Sequence, residues 1–464
     1  MNEELTAPAD VSIELLRRYN VPGPRYTSYP TAPVWTDGFS TRDYEEILAA
    51  SQTAVSPAPL SLYLHIPFCE TLCYFCACTV VITGNHSVEE PYLALLEREI
   101  DWVAGRAGED REVVQLHWGG GTPTYFSPDR ISRLAAKLAA SFRFSPHAEV
   151  GVEVDPRVTT EAHLEALRNA GFNRLSMGVQ DFDPAVQKAI HRIQPFEETR
   201  ALVAAARGMG FDSINMDLIY GLPLQTVDSF RSTIDDILAI GPDRLAVYSY
   251  ANVPWLKKHQ KLLEPQLPGD HEKFEIFLTA LARFTQAGYE YIGMDHFARP
   301  DDELARARRS RTLHRNFQGY TTKAGTDLVG MGVSAIGAIG DAFVQNRREL
   351  ADYRTAVERD GAATFRGFRL SFDDRVRRAV IGNLLCHGVV VVSEIELDFG
   401  IDFPRYFADS LARLAACAED GLVEISPDEI RATPLGRIFL RNLAMAFDSY
   451  LPSQSAKPLF SKTL

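Results

Sequence analysis

Four of the six cysteines in this chain fall within ten residues: Cys69, Cys73, Cys76 and Cys78. The first three have the spacing C-x3-C-x2-C. Thiolates are soft ligands that suit iron–sulfur clusters and zinc. In a protein without a secretory signature, a crowded quartet reads as metal binding rather than as a disulfide framework. Structural zinc sites usually draw two pairs from separate elements, so four thiols on one short loop point away from zinc. A cubane has four irons. Three cysteines would leave one iron free to bind a small molecule, which a purely electron-carrying cluster does not need. Cys386 and Cys417 stand alone in apolar surroundings and read as small buried hydrophobes.

A second chemical signal is the run Trp118-Gly119-Gly120-Gly121-Thr122-Pro123-Thr124. Glycines without Cβ atoms let backbone N–H and C=O groups reach a ligand's charged ends. The run lacks the G-x-G-x-x-G spacing of a dinucleotide fingerprint. A third signal is alternation. Leu62, Leu64 and Ile66 alternate with Tyr63 and His65, and Val152 and Val154 flank Glu153. Met216 and Leu218 flank Asp217. Alternate side chains of a strand face opposite ways. One face is therefore apolar, and the other gathers Tyr63, His65, Glu153, Gln180 and Asp217, mostly late in their strands. Barrel enzymes place their chemistry at the carboxyl ends of strands.

The elements that would position these residues recur regularly. Strands are expected over 61–66, 113–118, 149–155, 174–180, 213–219 and 245–250, with amphipathic stretches between them. A seventh over 290–294 would extend the set. Ser87 with Glu90 reads as a capping box opening one helix, and Ser127-Pro128 as the N-cap and N1 of the next. Strand–helix repetition argues for a parallel sheet with helical crossovers. The fold class is thus α/β, an open partial (β/α)6 barrel over residues 56–345. Residues 1–55, broken by Pro22, Pro24, Pro30 and Pro33, read as an extended arm. The Gly-rich stretch 285–345 reads as loops and short elements. Residues 346–464 read as a mainly helical, winged-helix-like domain.

The 464 residues carry a net charge of −13, with 46% hydrophobic and 23% charged residues. That is a globular composition with a sizeable core. The acidic balance disfavours nucleic acid as partner. The C-terminal domain, with nearly balanced acidic and basic residues, reads as a lid or docking module rather than a DNA reader. No apolar run reaches 18 residues, so no spanning helix is expected. Residues 1–10 are acidic and lack a secretory signature. A cytoplasmic monomer is the expectation.

C-x3-C-x2-C after a first strand, an aromatic residue before the third cysteine and a glycine run after the second strand resemble the radical S-adenosylmethionine (SAM) superfamily. Longer segments resemble the oxygen-independent coproporphyrinogen III oxidase family over essentially the whole chain. These include PGPRYTSYPTA from Pro22, CYFCAC from Cys73, QLHWGGGTPTY from Gln115, EVDPR from Glu153 and NRLSMGVQDF from Asn173. DLIYGLP from Asp217, GMDHFARPDDELA from Gly293, HRNFQGYTT from His314, GMGVSAI from Gly330 and FDSYL from Phe447 add to them.

The resemblance implies one [4Fe–4S] cluster held by Cys69, Cys73 and Cys76, and two SAM molecules. Tyr63, Gly120, Glu153 and Ile336 correspond to residues around the first SAM. Phe75, Gly121, Thr122, Gln180, Arg192, Asp217 and Ala251 correspond to those around the second. Cys78 matches a family cysteine that does not ligate the cluster, and Ala77 stands where glycine is expected. The implied chemistry is transfer of one electron to SAM, giving a 5′-deoxyadenosyl radical that takes a β-hydrogen from a propionate. Loss of CO2 and an electron then leaves a vinyl group. Two such steps convert coproporphyrinogen III to protoporphyrinogen IX, with an external electron donor. Arg25, Arg299 and Arg315, in matching segments, are candidates to bind the tetracarboxylate. The alternative reading is a haem chaperone of the related HemW type, which shares the cysteine triad and transfers haem without decarboxylation.

Overall fold

A computed structural model describes residues 12–451 and 460–463. The reading of residues 1–10 lies outside the described residues. All six expected strands form: β1 (Leu60–Ile66), β2 (Glu112–Gly120), β3 (Arg143–Val154), β4 (Arg174–Gln180), β5 (Ser213–Tyr220) and β6 (Arg244–Ser249). They pair in parallel in that order, and β7 (Asp327–Met331) joins parallel to β1 on its other side. Crossover helices, among them Glu89–Ala107, Pro128–Ser141 and Val227–Ile240, cover the outer face. Leu62, Leu64, Ile66, Met216 and Leu218 are fully buried beneath them. Burying each such side chain contributes about 1.5–3 kcal/mol.

Several expectations are corrected. The segment over 290–294 does not extend the parallel set. Glu290–Gly293 forms a tight hairpin with His296–Ala298, and the latter pairs antiparallel to β6. Only Met294 and Asp295 connect the two strands, and a parallel crossover needs a dozen residues or more. The Gly-rich stretch 285–345 contributes strands as well as loops, including β7, Ile336–Ile339 and Ala342–Asn346. Gly330 is required in β7, because a Cβ there would lie 2.4 Å from the Ile336 carbonyl oxygen.

Ser87 does not cap a helix. Residues His86–Val88 tighten into a 3-10 turn, Asn85 accepts from the Ser87 N–H, and the α-helix begins at Glu89. Pro128 does open its helix, but the Ser127 side chain makes no capping bond. Inside the stretch read as an extended arm stands a helix, Thr41–Gln52, with a Ser40/Asp43 capping box and Tyr44, Ile47 and Leu48 buried. The prolines that suggested an arm all precede it. Upstream, Tyr26 and Tyr29 are buried and bond to Asp448 and Ser449, so this segment lies on the C-terminal unit.

That unit comprises helix Phe372–His387, strand Val389–Val391, helices Val392–Phe399 and Ala408–Glu419, and the hairpin Val423–Ile425/Glu429–Ala432. This is a winged-helix arrangement. Cys386 and Cys417 are buried within it.

One buried carboxyl ties the edge of the sheet to its covering helix. Glu99 accepts from Tyr353 Oη at 2.6 Å, Asn346 Nδ2 at 2.6 Å and Gly332 N at 2.7 Å. Burial pushes its carboxyl up to about 7, against the pull of those donors. The native state holds this proton to higher pH than the unfolded chain. The associated stability is full below the ordinary carboxyl range and is lost as pH rises through about 7. Wild type should therefore lose about 3 kcal/mol relative to Glu99→Gln between pH 4 and pH 8. Urea unfolding of both proteins across that range checks this.

Candidate functional site

The cysteine loop leaves the carboxyl end of β1. Cys69 closes a two-residue strand that pairs with Val81–Ile82. The carbonyls of the loop are held from outside. His191 Nδ1 donates to Leu72 O at 2.9 Å and Gln260 Nε2 to Phe75 O at 2.8 Å. His259 Nε2 donates to Cys76 O at 2.9 Å and Lys257 Nζ to Cys78 O at 2.6 Å. Three of these come from the 257–260 segment after β6, which sequence reasoning missed. Its only signal was a polar cluster following a strand's carboxyl end.

Gln260 is fully buried and also donates to Ala251 O, while its Oε1 accepts from Val253 N. Gln260→Ala would strip three polar groups of partners, at about 1–3 kcal/mol each in the worst case. Faster amide exchange confined to residues 69–78 and 251–253 is the expected result.

The glycine run closes onto this loop. Gly121 N donates to Ile66 O at 2.8 Å and Thr122 N to Phe68 O at 2.9 Å. Gly120 has φ +120°, and a Cβ there would strike the His65 ring. Gly120 N donates to Glu153 Oε2 at 3.1 Å. Glu153 also faces His117 Nε2 at 3.3 Å. Burial would raise the Glu153 carboxyl, but His117 and the Gly120 N–H hold it below its ordinary value. Tyr63 stacks on His117 and bonds His65 Nδ1 at 3.1 Å.

Deeper in the barrel, burial pushes the Asp217 carboxyl up to about 7, although Asn215 Nδ2 donates to it at 2.8 Å. Asp155, at the end of β3, was not singled out from sequence. Burial opposes its charge, yet Arg192 at 3.1 Å and Arg157 at 2.6 Å hold it at about 2. The same two guanidinium groups reach Cys73 Sγ at 3.7 and 3.5 Å.

One cavity of about 180 Å³ is lined by Cys69, Cys73, Cys76, Phe75, Gly120, Gly121, Thr122, Glu153, Gln180, Arg192 and Asp217. Of the residues matched to SAM contacts, Tyr63, Ala251 and Ile336 do not line it, nor does the inner-face His65. Tyr63 joins through His65 and His117, Ala251 through Gln260, and Ile336 lies beyond β7. Gln180 Oε1 and Arg192 Nε are buried without hydrogen-bond partners. Cys78 is exposed, beside the triad at the rim of the same cavity.

The three arginine candidates separate. Arg299 donates to Gly241 O and Pro242 O, at the amino ends of the strands, away from the cysteine loop. Its expected role in binding is therefore corrected to that of a turn cap. Arg25 pairs with Asp295 at 2.6 Å and donates to Ser249 O, at the carboxyl end of β6. Arg315 lies over the Tyr320 ring, with Nε and Nη1 buried and unpartnered.

Comparison with known proteins agrees with this geometry. The Radical SAM superfamily profile matches residues 63–237, and the HemN C-terminal domain profile matches residues 370–439. Oxygen-independent coproporphyrinogen III oxidases from Salmonella typhimurium and Escherichia coli are each 47% identical over 457 residues, covering 98% of this chain and 99% of theirs. That from Helicobacter pylori is 42% identical over 456 residues, covering 98% and 99%. The solved structure of the E. coli protein, described as a radical SAM enzyme, superposes with a TM-score of 0.90 at 46% identity. It covers 95% of this chain and 99% of that one.

A radical SAM protein holds a [4Fe–4S] cluster and SAM, and the residues present fit both. Three thiols, soft ligands suited to iron, line one cavity. The glycine cradle and the unpartnered Gln180 and Arg192 atoms offer polar groups to a ligand. Among the described residues no three Cys, His, Asp or Glu side chains converge on a single-ion site. A four-iron cluster, being larger than one ion, does not ask for such convergence. Full-length identity, the shared fold and the cysteine–glycine cavity together show that this chain belongs to the oxygen-independent coproporphyrinogen III oxidase family of radical SAM enzymes.

Proposed function

We propose that the protein oxidatively decarboxylates two propionates of coproporphyrinogen III to vinyl groups without O2, giving protoporphyrinogen IX in haem biosynthesis. The observation that carries this reading is the convergence of the three-cysteine loop, the glycine cradle and the Glu153, Asp155 and Asp217 carboxylates on one cavity at the carboxyl ends of parallel strands. When bound, the cluster and SAM supply a carbon radical able to take a hydrogen atom from an unactivated C–H bond. Each vinyl group formed releases one CO2 and one electron, and the electron leaves to an external acceptor.

The chain's own residues bind, orient and exclude water. Cys69, Cys73 and Cys76 are the metal ligands in this reading. Gly120, Glu153, Tyr63 and Ile336 serve one SAM, and Phe75, Gly121, Thr122, Gln180, Arg192, Asp217 and Ala251 a second. Carboxylates suit ribose hydroxyls, and Arg192 suits a methionine carboxylate. A second cavity, lined by His117, Tyr248 and His296, meets the first at Glu153 and Asp217, one carboxylate from each set. Enclosing the reacting carbon in this cavity keeps water and oxygen from it. No helix among the described residues is long and apolar enough to cross a membrane.

The test is anaerobic incubation of the iron-reconstituted protein with SAM, a reductant and coproporphyrinogen III. Two CO2 per protoporphyrinogen IX is the expected yield. Tight haem binding without CO2 release would favour the haem-transfer reading instead.

A further inference from the structure

A cavity of about 540 Å³ lies between residues 26–29, the hairpin His314–Asn316/Gly319–Thr321 and the helix Phe372–His387. It is much larger than the cavity beside the cysteine loop. Two guanidinium groups border it from different elements. Arg315, on the hairpin, has Nε and Nη1 buried with no hydrogen-bond partner. Arg378, on the helix, lies 5.5 Å over the Phe343 ring, and among the described residues it makes no hydrogen bond or ion pair. The nearby acids are engaged elsewhere or exposed. Asp341 pairs with Arg375 at 3.1 Å, Glu394 pairs with Arg311 at 3.0 Å, and Asp398 is exposed. A third polar atom of the lining, His387 Nδ1, is also buried and unpartnered.

Arg378 is half-buried and feels the charge of the exposed Asp341, but the buried Arg315 donors lack acceptors, which is costly. Such a site is built for an anion that the protein itself does not supply. Arginine is the residue suited to bidentate capture of a carboxylate. The remaining wall is mixed: Ile381, Leu385 and Phe399 give it an apolar part beside polar groups such as Asn316 and Asn383. A partly apolar wall with a few fixed charges, at several hundred cubic ångströms, describes a pocket for a flat, multiply carboxylated organic molecule. The hairpin is a shared wall: Phe317 borders this cavity, while Gln318, Tyr320 and Thr321 border the barrel interior.

We infer that this cavity docks the tetrapyrrole, and that Arg315 and Arg378 each hold one of the propionates that are not decarboxylated. The inference rests on the proposed function. It assigns substrate recognition to the joint between hairpin and C-terminal unit, and makes the latter part of the binding site.

Two measurements test it. The first is a fluorescence titration of the holoenzyme with coproporphyrin III, the unreactive oxidised form with the same four propionates. The second is steady-state turnover. Arg378→Gln and Arg315→Gln should each weaken porphyrin binding and raise KM about 10- to 100-fold, the worth of one charge-assisted hydrogen-bonded pair. Binding of mesoporphyrin IX, which keeps only the two propionates that are not decarboxylated, should be weakened by either change to the same extent. Arg378→Lys, which keeps the charge and loses the fork, should fall between. Arg200→Gln, a surface arginine paired with Glu197, is the control. Wild-type turnover with unchanged KM and porphyrin affinity in both glutamine variants would overturn this assignment and leave the activity standing. Absence of wild-type turnover would instead remove the proposed reaction. Arginine-dependent coproporphyrin binding would in that case still support the docking site.

Discussion

Cys69→Ala, Cys73→Ala and Cys76→Ala should each bring anaerobic turnover down by at least about 10³-fold, a modest part of the acceleration enzymes supply. The reason is local. These thiols line one cavity, and Cys73 has Arg157 and Arg192 within reach of its sulfur. Apart from Cys78, which the Cys78→Ala variant tests separately, no other side chain in that lining can replace a soft ligand: the remaining polar groups include the Thr122 hydroxyl and the carboxylates of Asp155, Glu153 and Asp217. Iron and sulfide content should fall with activity, while circular dichroism and thermal unfolding stay near wild type. Cys78→Ala should retain its iron, because the C-x3-C-x2-C spacing ends at Cys76 and leaves Cys78 outside the ligand set. A Cys78 variant that lost iron as the other three do would contradict the three-ligand assignment.

Gly121→Ala is expected to have the next largest effect. A Cβ at Gly121 would lie 2.5 Å from Pro67 O and 2.8 Å from Phe68 O. Both are backbone atoms of the segment leading into Cys69, pinned by the bonds from Gly121 N and Thr122 N. Neither can swing away as a side chain would, so the glycine cradle and the cysteine loop must separate. Overpacking of this kind costs about 1–3 kcal/mol of stability. The larger effect is on catalysis, since a displacement of about 1 Å can cost about 10²-fold in rate. Steady-state kinetics should show that loss with the protein still folded. Gly208→Ala, at the end of a helix with open space around it, is the matched control and should stay within error of wild type.

Chain features governed by local periodicity were legible in the sequence. The alternation of Leu62, Leu64 and Ile66 with Tyr63 and His65 identified both the strand and its inner face. The same held for Glu153 in β3 and Asp217 in β5. Loop spacing marked the cysteines, and their position after β1 put them at the reactive end. What failed depends on partners distant in sequence. Nothing local distinguishes Glu290–Gly293 as half of an antiparallel hairpin from a seventh parallel strand. Arg299 sits in a segment rich in family resemblance, yet the fold turns it to the opposite end of the barrel, where it caps a turn.

Gln260 and His259 hold the cysteine loop across more than 180 residues, through backbone carbonyls whose direction no side-chain pattern records. Asp155 was hidden by its position as the last polar residue of a strand. Only the approach of Arg192 from another element makes it a charge partner for the cysteine site. The helix Thr41–Gln52 was missed for a different reason. Its buried Tyr44, Ile47 and Leu48 have helical spacing, but the prolines upstream dominated the reading of the whole stretch.

The most direct test of the account is spectroscopic. Electron paramagnetic resonance of the reduced, iron-reconstituted protein should show a [4Fe–4S] signal that shifts when SAM is added, because one iron lacks a protein thiolate. A signal indifferent to SAM, or a protein that takes up zinc and no cluster, would contradict it.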